Sequence, residues 1–205
     1  MFKRDYWRKR KTDTNVTNQN IRSETVSASS NTQHPAIVHV NHLVKQFGPD
    51  KVAVNDVSFQ LYANQITSLL GPNGSGKTTI FNCLIGIYQP TSGNITMSTG
   101  NGDDYDTTNQ TDTLRQSIGY CPQHDILFDL LTIEEQLQFY AVARGFANQK
   151  KQISDEMLRL VNLETSRSAY CQSLSGGMKR RLSLACAFVG DTKIILLDEV
   201  RSLIL

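Results

Sequence analysis

Hydrophobic residues recur with a short period in the part of the chain that starts near Pro35. Five apolar side chains alternate with other residues over positions 52–61, which is typical of a half-buried strand: Val52, Val54, Val57, Phe59 and Leu61. Residues 37–44 form a second strand-like run, and a Gly-Pro-Asp turn at residues 48–50 separates the two runs. The pattern therefore predicts that the ordered part of the chain begins with antiparallel sheet.

Short, mainly apolar runs predict further strands. They lie at residues 65–70, 94–97, 117–121 and 193–197. The first is predicted to be a short buried strand, and the last contains the continuous Ile-Ile-Leu-Leu run of a buried parallel strand. Four segments have the apolar side of a helix: residues 78–87, 133–144, 152–161 and 178–189. The order of strand, glycine-rich loop, helix, helical insert and strand predicts an α/β phosphate-binding fold.

Polar and basic residues dominate the first 34 positions. Residues 12–34 contain few large apolar side chains, so burial cannot offset the entropy of ordering and a disordered linker is predicted. Six of the 21 Lys and Arg residues, but one of the 19 Asp and Glu residues, lie in residues 1–11 together with three aromatic residues. Such a tip suits the cytoplasmic interface of a membrane, and a solvated basic tail is the alternative.

Composition excludes several classes of protein. Residues 12–205 retain 15 basic and 18 acidic side chains, and this formal charge of −3 argues against a broad nucleic-acid surface. No apolar run reaches about 18 residues, so no membrane-spanning helix is expected, and residues 1–11 lack the apolar segment of a secretory signal. The four cysteines show no metal-ligand or disulfide spacing. The polar, Asp-rich residues 100–113 are predicted to form a solvated insertion loop, and they lack the spacing of a calcium loop.

A glycine-rich loop follows the strand predicted at residues 65–70. Residues 71–78 read Gly-Pro-Asn-Gly-Ser-Gly-Lys-Thr, which fits the G-x-x-x-x-G-K-[ST] pattern of a phosphate-binding P-loop. The glycines let backbone N–H groups point at phosphate oxygens, and the following helix adds its positive end. Lys77 is predicted to reach the β- and γ-phosphates, and the Thr78 hydroxyl to bind Mg²⁺. The predicted nucleotide contacts are Gly71, Asn73, Gly74, Ser75, Gly76, Lys77, Thr78 and Thr79.

Two further elements place chemical groups at the ends of secondary structure. Residues 194–199 read Ile-Ile-Leu-Leu-Asp-Glu, so Asp198 is predicted to orient Mg²⁺ and Glu199 to accept a proton from an attacking water. Residues 175–177, Ser-Gly-Gly, start the last predicted helix and form a second anion-binding surface. A simple helix capped by Ser175 is the alternative. A second phosphate cradle makes sense where it serves the nucleotide of a partner chain.

Taken in this order, the P-loop, the Ser-Gly-Gly helix start and the Asp-Glu strand resemble the nucleotide-binding domain of ABC transporters. Residues 174–178, Leu-Ser-Gly-Gly-Met, resemble the signature motif of that family, with Met178 where Gln is usual. The Met form is similar to the A subfamily, whose members are largely lipid exporters. Three more stretches fit the same subfamily, at residues 121–128, 178–183 and 187–190. The resemblance covers residues 37–199 and implies a P-loop NTPase fold with an N-terminal antiparallel β-subdomain and a helical insert that carries the signature.

The resemblance implies roles for residues that the patterns alone do not assign. Gln123 matches the glutamine that reaches Mg²⁺ and water and senses the γ-phosphate. Phe47 matches the aromatic residue that stacks on adenine, although without the family it would be assigned to the core. The signature residues Ser175, Gly176 and Gly177 would contact the γ-phosphate of ATP held by an opposing domain. ATP and Mg²⁺ are the implied cofactors. The implied catalytic residues are Glu199, Gln123 and Lys77, and the implied metal-binding residues are Thr78, Gln123 and Asp198.

The resemblance also implies partners and a location. The partners are the transmembrane domains of a transporter and a second nucleotide-binding domain in a head-to-tail dimer, and no nucleic acid is expected. The location is the cytoplasmic face of a membrane, and residues 124–131 match the region where the family contacts its membrane domains. The expected function is ATP binding and hydrolysis coupled to transmembrane transport, with lipid as the substrate that the subfamily implies.

The chain departs from the family after Glu199. The family continues with Pro, a D-loop and a switch histidine, whereas residues 200–205 read Val-Arg-Ser-Leu-Ile-Leu. We therefore expect residues 1–34 to be a basic juxtamembrane-like tip and linker, and residues 35–205 to be an incomplete ATP-binding domain that alone binds MgATP weakly and turns it over poorly. Two alternatives stay open: a soluble ABC ATPase that acts in translation or DNA repair, and a truncated module that binds a partner without turnover.

Overall fold

A computed structural model describes residues 22–26, 35–98, 104–106 and 115–198 of the chain. Within these ranges the strands are β1 (Arg22–Val26), β2 (Ala36–Gln46), β3 (Val52–Tyr62), β4 (Ile66–Leu70), β5 (Ser92–Ser98), β6 (Asp104–Asp106), β7 (Ile118–Cys121) and β8 (Ile194–Leu197). The α-helices are α1 (Lys77–Leu84), α2 (Ile133–Ala143), α3 (Lys150–Leu160) and α4 (Gly176–Phe188). Single 3₁₀ turns lie at Ala147–Gln149, Glu164–Ser166 and Cys171–Ser173.

An antiparallel sheet in the order β3-β2-β5-β6 forms the first layer. In its register Val40 of β2 lies opposite Phe59 on one side and Ile95 on the other. Val40 and Ile95 are fully buried, and α1 contributes Ile80 and Leu84 to the same apolar cluster. The antiparallel sheet that the alternating pattern predicts is therefore confirmed, and it forms a core beside the first helix.

The strands β7 and β8 pair in parallel, with Ile118 opposite Ile194. Helix α4 packs against β7. The approach is so close that a Cβ at Gly119 would collide with the backbone carbonyl of Ala187. Since parallel strands run in the same direction, the segments that follow β7 and β8 leave the sheet at the same edge.

Helices α2, α3 and α4 enclose a second apolar cluster. Its fully buried members include Ile133, Leu137, Leu158, Leu163 and Leu182. Helix α2 starts with a capping box, in which the Thr132 N–H donates to Glu135 Oε2 (2.8 Å) and the Glu135 N–H donates to Thr132 Oγ1 (3.2 Å). The bonds from Thr132 lower the pKa of the Glu135 carboxyl. The helices predicted at residues 133–144, 152–161 and 178–189 are confirmed, with bounds that differ from the predicted ones by at most two residues.

Helix α1 is shorter than the predicted segment at residues 78–87. It ends at Leu84 because Gly86 adopts a left-handed φ of +70° and donates its N–H to the Cys83 carbonyl. The Ile87 N–H donates back to the Asn82 carbonyl (2.8 Å), so the chain turns away from the helix axis. Among the described residues, no helix combines the length and the apolar character that crossing a membrane requires.

The first described strand lies within the segment that is predicted to be a disordered linker. Residues 12–34 are predicted to be disordered, yet Arg22–Val26 pairs antiparallel with β4, with Arg22 opposite Leu70 and Val26 opposite Ile66. Strand pairing satisfies backbone N–H and C=O groups whatever the side chains bury, and an argument from composition omits this contribution. The rest of the predicted linker, and the basic tip before it, lie outside the described residues.

The strand predicted at residues 65–70 forms as β4, but it is not buried as predicted. Ile66 is 66% exposed and Leu70 is 48% exposed. Among the described strands β4 pairs with β1 and with no other, so its apolar side chains are covered poorly. Part of the polar loop predicted at residues 100–113 is also ordered, as β6, where Tyr105 lies opposite Met97 and packs against the first core.

Candidate functional site

The P-loop connects the end of β4 to the start of α1. Gly74 and Gly76 adopt left-handed φ angles of +80° and +93°, which glycine takes up without the steric cost that other residues meet. A Cβ at Gly76 would collide with the carbonyl of Ala53 in β3, so the antiparallel sheet lies directly against the loop. Helix α1 begins at once, because the Ile80 N–H donates to the Gly76 carbonyl (2.9 Å). The loop conformation is therefore fixed by the packing of the chain.

The Lys77 ammonium lies over this loop. Its Nζ donates to the backbone carbonyls of Gly71 and Pro72, both at 2.9 Å. The charge is thereby held next to the N-terminus of α1, which carries the positive end of the helix dipole. A phosphate oxygen would be a better partner than two neutral carbonyls, because charge-assisted hydrogen bonds between ions are stronger. The arrangement is suited to an anionic ligand.

A cleft of about 880 Å³ opens at the loop. Its volume lies within the range of small-molecule sites, about 300–1,000 Å³. Eight of the predicted site residues line it: Phe47, Asn73, Gly74, Gly76, Lys77, Thr78, Thr79 and Gln123. The structure therefore brings the P-loop, the predicted glutamine and the predicted aromatic residue together around one cavity. The other two predicted loop residues, Gly71 and Ser75, belong to the loop without lining the cleft.

Phe47 is an exposed cleft residue and not the core residue that the alternative proposed, since 45% of it is accessible. Its ring meets the Tyr88 ring edge to face, with centroids 5.1 Å apart and planes at 81°. The Lys45 Nζ lies 5.1 Å from the centroid of Phe47 and 5.7 Å from that of Tyr88, and it donates to the Gln89 carbonyl (2.8 Å). Two neighbours thus hold the ring and leave it accessible to a planar ligand.

Five further residues line the cleft that the sequence patterns did not identify as site residues: Lys51, Val52, Ala53, Asn82 and Tyr88. Asn82 is a polar residue between the apolar neighbours Phe81 and Cys83 of α1, and this was the one local signal for it. Tyr88 follows the turn that ends α1, and Lys51 follows the predicted Gly-Pro-Asp turn. Nothing in the local sequence separates either residue from an ordinary surface residue, because the fold alone brings them to the cleft.

The ends of β7 and β8 bring a second pair of predicted residues together. Cys121 pairs with Leu197, and the next residue, Asp198, donates its N–H to the Cys121 carbonyl (2.9 Å). Gln123 lines the cleft two residues beyond β7. Asp198 is 1% exposed, and its Oδ2 has no hydrogen-bond partner among the described residues.

The chemistry of the predicted ligands suits a magnesium ion, and Thr78 and Gln123 line the cleft whereas Asp198 does not. A buried carboxylate oxygen without a partner is costly unless a cation or another ligand satisfies it, and Asp198 Oδ2 is such an atom within the described part of the chain. The Thr78 hydroxyl and the Gln123 amide oxygen add donors of the type that Mg²⁺ prefers. Glu199 lies outside the described residues, so its role as a base stays a prediction.

The second glycine-rich helix start lies away from this cleft. Ser175, Gly176 and Gly177 are exposed at the beginning of α4, and none of them lines the cavity. Ser175 Oγ accepts a hydrogen bond from the Met178 N–H (3.3 Å), so the cap that the alternative proposed is present. A Cβ at Gly176 or Gly177 would meet nothing within 4 Å. Contact between this surface and a nucleotide stays a prediction.

Comparisons with known proteins agree with the geometry of the cleft. The family model described as ABC transporter matches residues 54–202. Human ATP-binding cassette sub-family A member 2 is 43% identical over 170 residues, which are 82% of this chain and 7% of that protein. Human retinal-specific phospholipid-transporting ATPase ABCA4 is 45% identical over 175 residues, 83% of this chain and 8% of that protein. The chain therefore spans less than a tenth of the length of these two relatives.

A solved structure supports the fold. The structure of cbiO1 from Clostridium perfringens, described as part of the ABC transporter complex cbiONQ, matches with a TM-score of 0.68 at 26% identity. The match covers 80% of this chain and 65% of that chain. The predicted P-loop NTPase fold and the predicted resemblance to the A subfamily are both confirmed by these matches.

Proposed function

Since this chain belongs to the ABC transporter family, we propose that it is the ATP-binding and ATP-hydrolysing domain of a transporter of the A-subfamily type. The observation that carries the proposal is the cleft at the P-loop, which Lys77, Gln123 and Phe47 line together. A phosphate-binding loop, an amide and an accessible aromatic ring around one cavity match the parts of a nucleoside triphosphate. The name of one relative, a phospholipid-transporting ATPase, supports this class of enzyme.

In this proposal the adenine ring stacks on Phe47, which Tyr88 and Lys45 hold in place. The triphosphate lies along the P-loop, whose N–H groups and helix dipole favour negative charge. Lys77 exchanges its bonds to two loop carbonyls for bonds to the β- and γ-phosphates. The Thr79 hydroxyl, which also lines the cleft, contacts the α-phosphate.

Hydrolysis then depends on groups at the γ-phosphate end. Gln123 orients a water molecule, and Glu199 accepts its proton as the water oxygen attacks the γ-phosphorus. The bond between that phosphorus and the bridging oxygen breaks, which yields ADP and phosphate, and Lys77 stabilises the charge that develops on the phosphate oxygens. A bound Mg²⁺ would supply further positive charge there, held by Thr78, Gln123 and Asp198.

A second domain of the same kind is proposed as a partner. The Ser-Gly-Gly start of α4 is exposed and lies outside the cleft of its own chain. The first N–H groups of a helix have no partner within the helix, so those of Gly176 and Gly177 suit an anion that approaches from outside. In a head-to-tail dimer, this helix start would contact the γ-phosphate of ATP held by the P-loop of the opposing domain.

Exposed apolar side chains support a further partner, the transmembrane domains of the transporter at the cytoplasmic face of a membrane. Ile126, Phe128 and Leu130 follow Gln123 closely in sequence, and Leu130 is 77% exposed. Phe128 meets the half-exposed Phe139 edge to face at 5.1 Å. Apolar groups that lie close together on a surface mark sites of protein interaction. In this proposal they transmit changes at Gln123 to the membrane domains.

Lipid is proposed as the transported substrate. The support is the name of the relative called a phospholipid-transporting ATPase, which is 45% identical over 83% of this chain. The signature with Met178 in place of Gln gives the same indication from the sequence.

Nucleotide titration of the purified chain tests ATP binding. We expect saturable MgATP binding, and we expect Lys77→Ala to weaken it about 10- to 100-fold because one or two charge-assisted hydrogen bonds to phosphate are lost. Lys150→Ala is the matched control, since Lys150 is an exposed lysine at the start of α3 and distant in sequence from the loop. The absence of saturable binding, or equal weakening by both substitutions, would contradict the proposal.

Turnover tests the catalytic part separately. The chain is expected to hydrolyse ATP slowly, because residues 200–205 stand where the family has Pro and a D-loop after the catalytic glutamate. Glu199→Gln is expected to remove the residual hydrolysis without weakening ATP binding, since the amide cannot accept the proton. Fast turnover that Glu199→Gln abolishes would support the base and overturn the expectation of slow turnover. Turnover that survives this substitution would contradict the role of Glu199.

A further inference from the structure

A buried arginine joins three segments of the proposed ATP site. Arg180 lies in the second turn of α4 and is 6% exposed. Its Nη1 donates to the Pro122 carbonyl and to Asp125 Oδ1 (3.2 Å), and its Nη2 donates to the Asp198 carbonyl (2.9 Å). The stretch at residues 178–183, which the subfamily resemblance singles out without a role, thus contains a side chain with three partners.

The surroundings of this side chain suit a guanidinium group and no other cation. A buried charge is tolerated when it is paired and its N–H groups are satisfied. The Asp125 carboxylate supplies the opposite charge, and its side chain is 24% exposed. The carbonyls of Pro122 and Asp198, from two different segments, accept from Nη1 and Nη2. A lysine at this position is a point charge and cannot span the same directions with one planar group.

The partners of Arg180 adjoin residues that the proposed function uses. Pro122 immediately precedes Gln123. Asp198 supplies its carbonyl to Arg180 and has a buried Oδ2 without a described partner. Arg180 itself lies on the helix that Ser175 starts. One guanidinium group therefore connects the segment of Gln123, the end of β8 and the second glycine-rich helix start.

We propose that Arg180 is a positioning residue, which holds Gln123 and Asp198 in register with each other and couples both to the start of α4. The inference rests on the proposed function, since Gln123 and Asp198 matter there as ligands of Mg²⁺ and partners of the nucleotide. Arg180 touches no nucleotide in this scheme. It acts through the backbone of Pro122 and Asp198, so its loss displaces these segments and leaves the P-loop intact.

A thiol beside this network provides a local reporter. Cys121 directly precedes Pro122, is fully buried, and lies 3.8 Å from Ser183 Oγ on α4. Burial raises the pKa of the Cys121 thiol, so it reacts slowly in the native state. The described structure contains three other buried cysteines, Cys83, Cys171 and Cys186. The alkylation rates of Cys83 and Cys171 report opening elsewhere in the same molecule, whereas Cys186 lies on α4 itself.

The first test compares alkylation of the four cysteines in the full chain and in Arg180→Met, followed peptide by peptide by mass spectrometry. Loss of the buried hydrogen bonds is expected to raise the rate at Cys121 about tenfold by easing local opening. Cys83 and Cys171, which lie in other parts of the two cores, are expected to keep their rates. Arg159→Met, at an exposed arginine of α3, is the matched control and changes none of them. Equal rates at Cys121 in the folded variant would overturn the proposal.

The second test measures ATP affinity with Mg²⁺ and with EDTA. Arg180→Met is expected to remove most of the gain in affinity that Mg²⁺ gives, because Gln123 and Asp198 move. Affinity in EDTA is expected to stay within about twofold, because the P-loop keeps its conformation. A fall by the same factor under both conditions would show a merely structural role and would overturn the proposal. If the unmodified chain binds no ATP, the proposed function fails, while the alkylation result still decides whether Arg180 holds the Pro122 segment.

Two further variants keep the proposal testable if Arg180→Met does not fold. Arg180→Lys keeps the positive charge and loses the planar guanidinium group. We therefore expect an alkylation rate at Cys121 and a Mg²⁺ effect on ATP affinity that lie between those of the unmodified chain and Arg180→Met. Asp125→Asn removes the ion pair and retains both bonds from Arg180 to carbonyls. We therefore expect the alkylation rate of Cys121 to rise less than in Arg180→Met. If both variants behave as the unmodified chain, the proposal is wrong.

Discussion

Two helices of this chain begin with glycines, and different constraints act on them. At the start of α1, Gly74 and Gly76 have left-handed φ angles, and Gly76 lies against the Ala53 carbonyl. At the start of α4, Gly176 and Gly177 lie within the helix, and a Cβ at either would meet nothing within 4 Å. The packing of the chain therefore requires glycine in the P-loop and does not require it in the second helix start.

A glycine that the packing of its own chain does not require is explained by contact with another molecule. Glycine in a helix costs about 0.5–1 kcal/mol relative to alanine, so Gly176 and Gly177 weaken α4 as it stands. Close approach of a ligand or another backbone is a physical reason to keep glycine at such a position. The difference between the two helix starts thus supports the proposed dimer, in which a partner's nucleotide completes the second one.

The largest effect in this comparison is expected at Gly76. In Gly76→Ala the Cβ meets the Ala53 carbonyl and the backbone is left-handed, which costs about 1–3 kcal/mol. ATP affinity is expected to fall about 10- to 100-fold, because the loop must move from the conformation that points its N–H groups at phosphate. Nucleotide titration and urea unfolding measure the two effects.

Gly74→Ala is the matched control for that experiment. Gly74 has a similar φ of +80°, but a Cβ there would meet nothing within 4 Å. This variant therefore carries the backbone strain without the collision and is expected to lose less stability and less affinity. If Gly76→Ala loses no more stability and no more ATP affinity than Gly74→Ala, contact with β3 does not fix the conformation of the loop.

Local patterns in the sequence were sufficient for the parts of the fold that local forces decide. The P-loop residues are consecutive, so their composition predicts both their conformation and their ligand. Helices α2 and α4 have caps next to their apolar faces, at Thr132 and Ser175, which set their starts. The continuous apolar run at residues 194–197 predicted a buried parallel strand, and β8 pairs in parallel with β7, which brings the segments of Gln123 and Asp198 to one edge.

Contacts distant in sequence could not be predicted in the same way. Tyr88 reaches the cleft because α1 ends at Leu84 and the turn at Gly86 redirects the chain. The exposure of β4 and its pairing with Arg22–Val26 depend on which backbone groups are left to pair, and no pattern within either segment shows this. The bonds of Arg180 join residues as far apart as Pro122 and Asp198, so only the folded chain reveals them.

A smaller effect is expected at Ser175, which caps α4 and is also proposed to contact the phosphate of a partner's nucleotide. Ser175→Ala removes the acceptor of the Met178 N–H and is expected to lower the free energy of unfolding by about 1 kcal/mol. Ser175→Asp keeps an acceptor and is expected to retain stability, but it places negative charge where a partner's phosphate would lie. Urea unfolding separates the two variants in stability. ATP-dependent self-association of Ser175→Asp equal to that of the unmodified chain would contradict the anion-binding surface.

The smallest effect, and the one with the opposite sign, is expected at Gly177. Gly177→Ala adds a methyl group in open space inside a helix, and we expect the free energy of unfolding to rise by about 0.5–1 kcal/mol with no change in the ATP affinity of a single chain. Gly145→Ala is the matched control, because a Cβ there also meets nothing but φ is +89°, so that substitution is expected to destabilise the chain. Self-association in the presence of ATP is expected to weaken in Gly177→Ala alone. Destabilisation by Gly177→Ala would show that the chain itself requires this glycine, and the contrast between the two helix starts would then be lost.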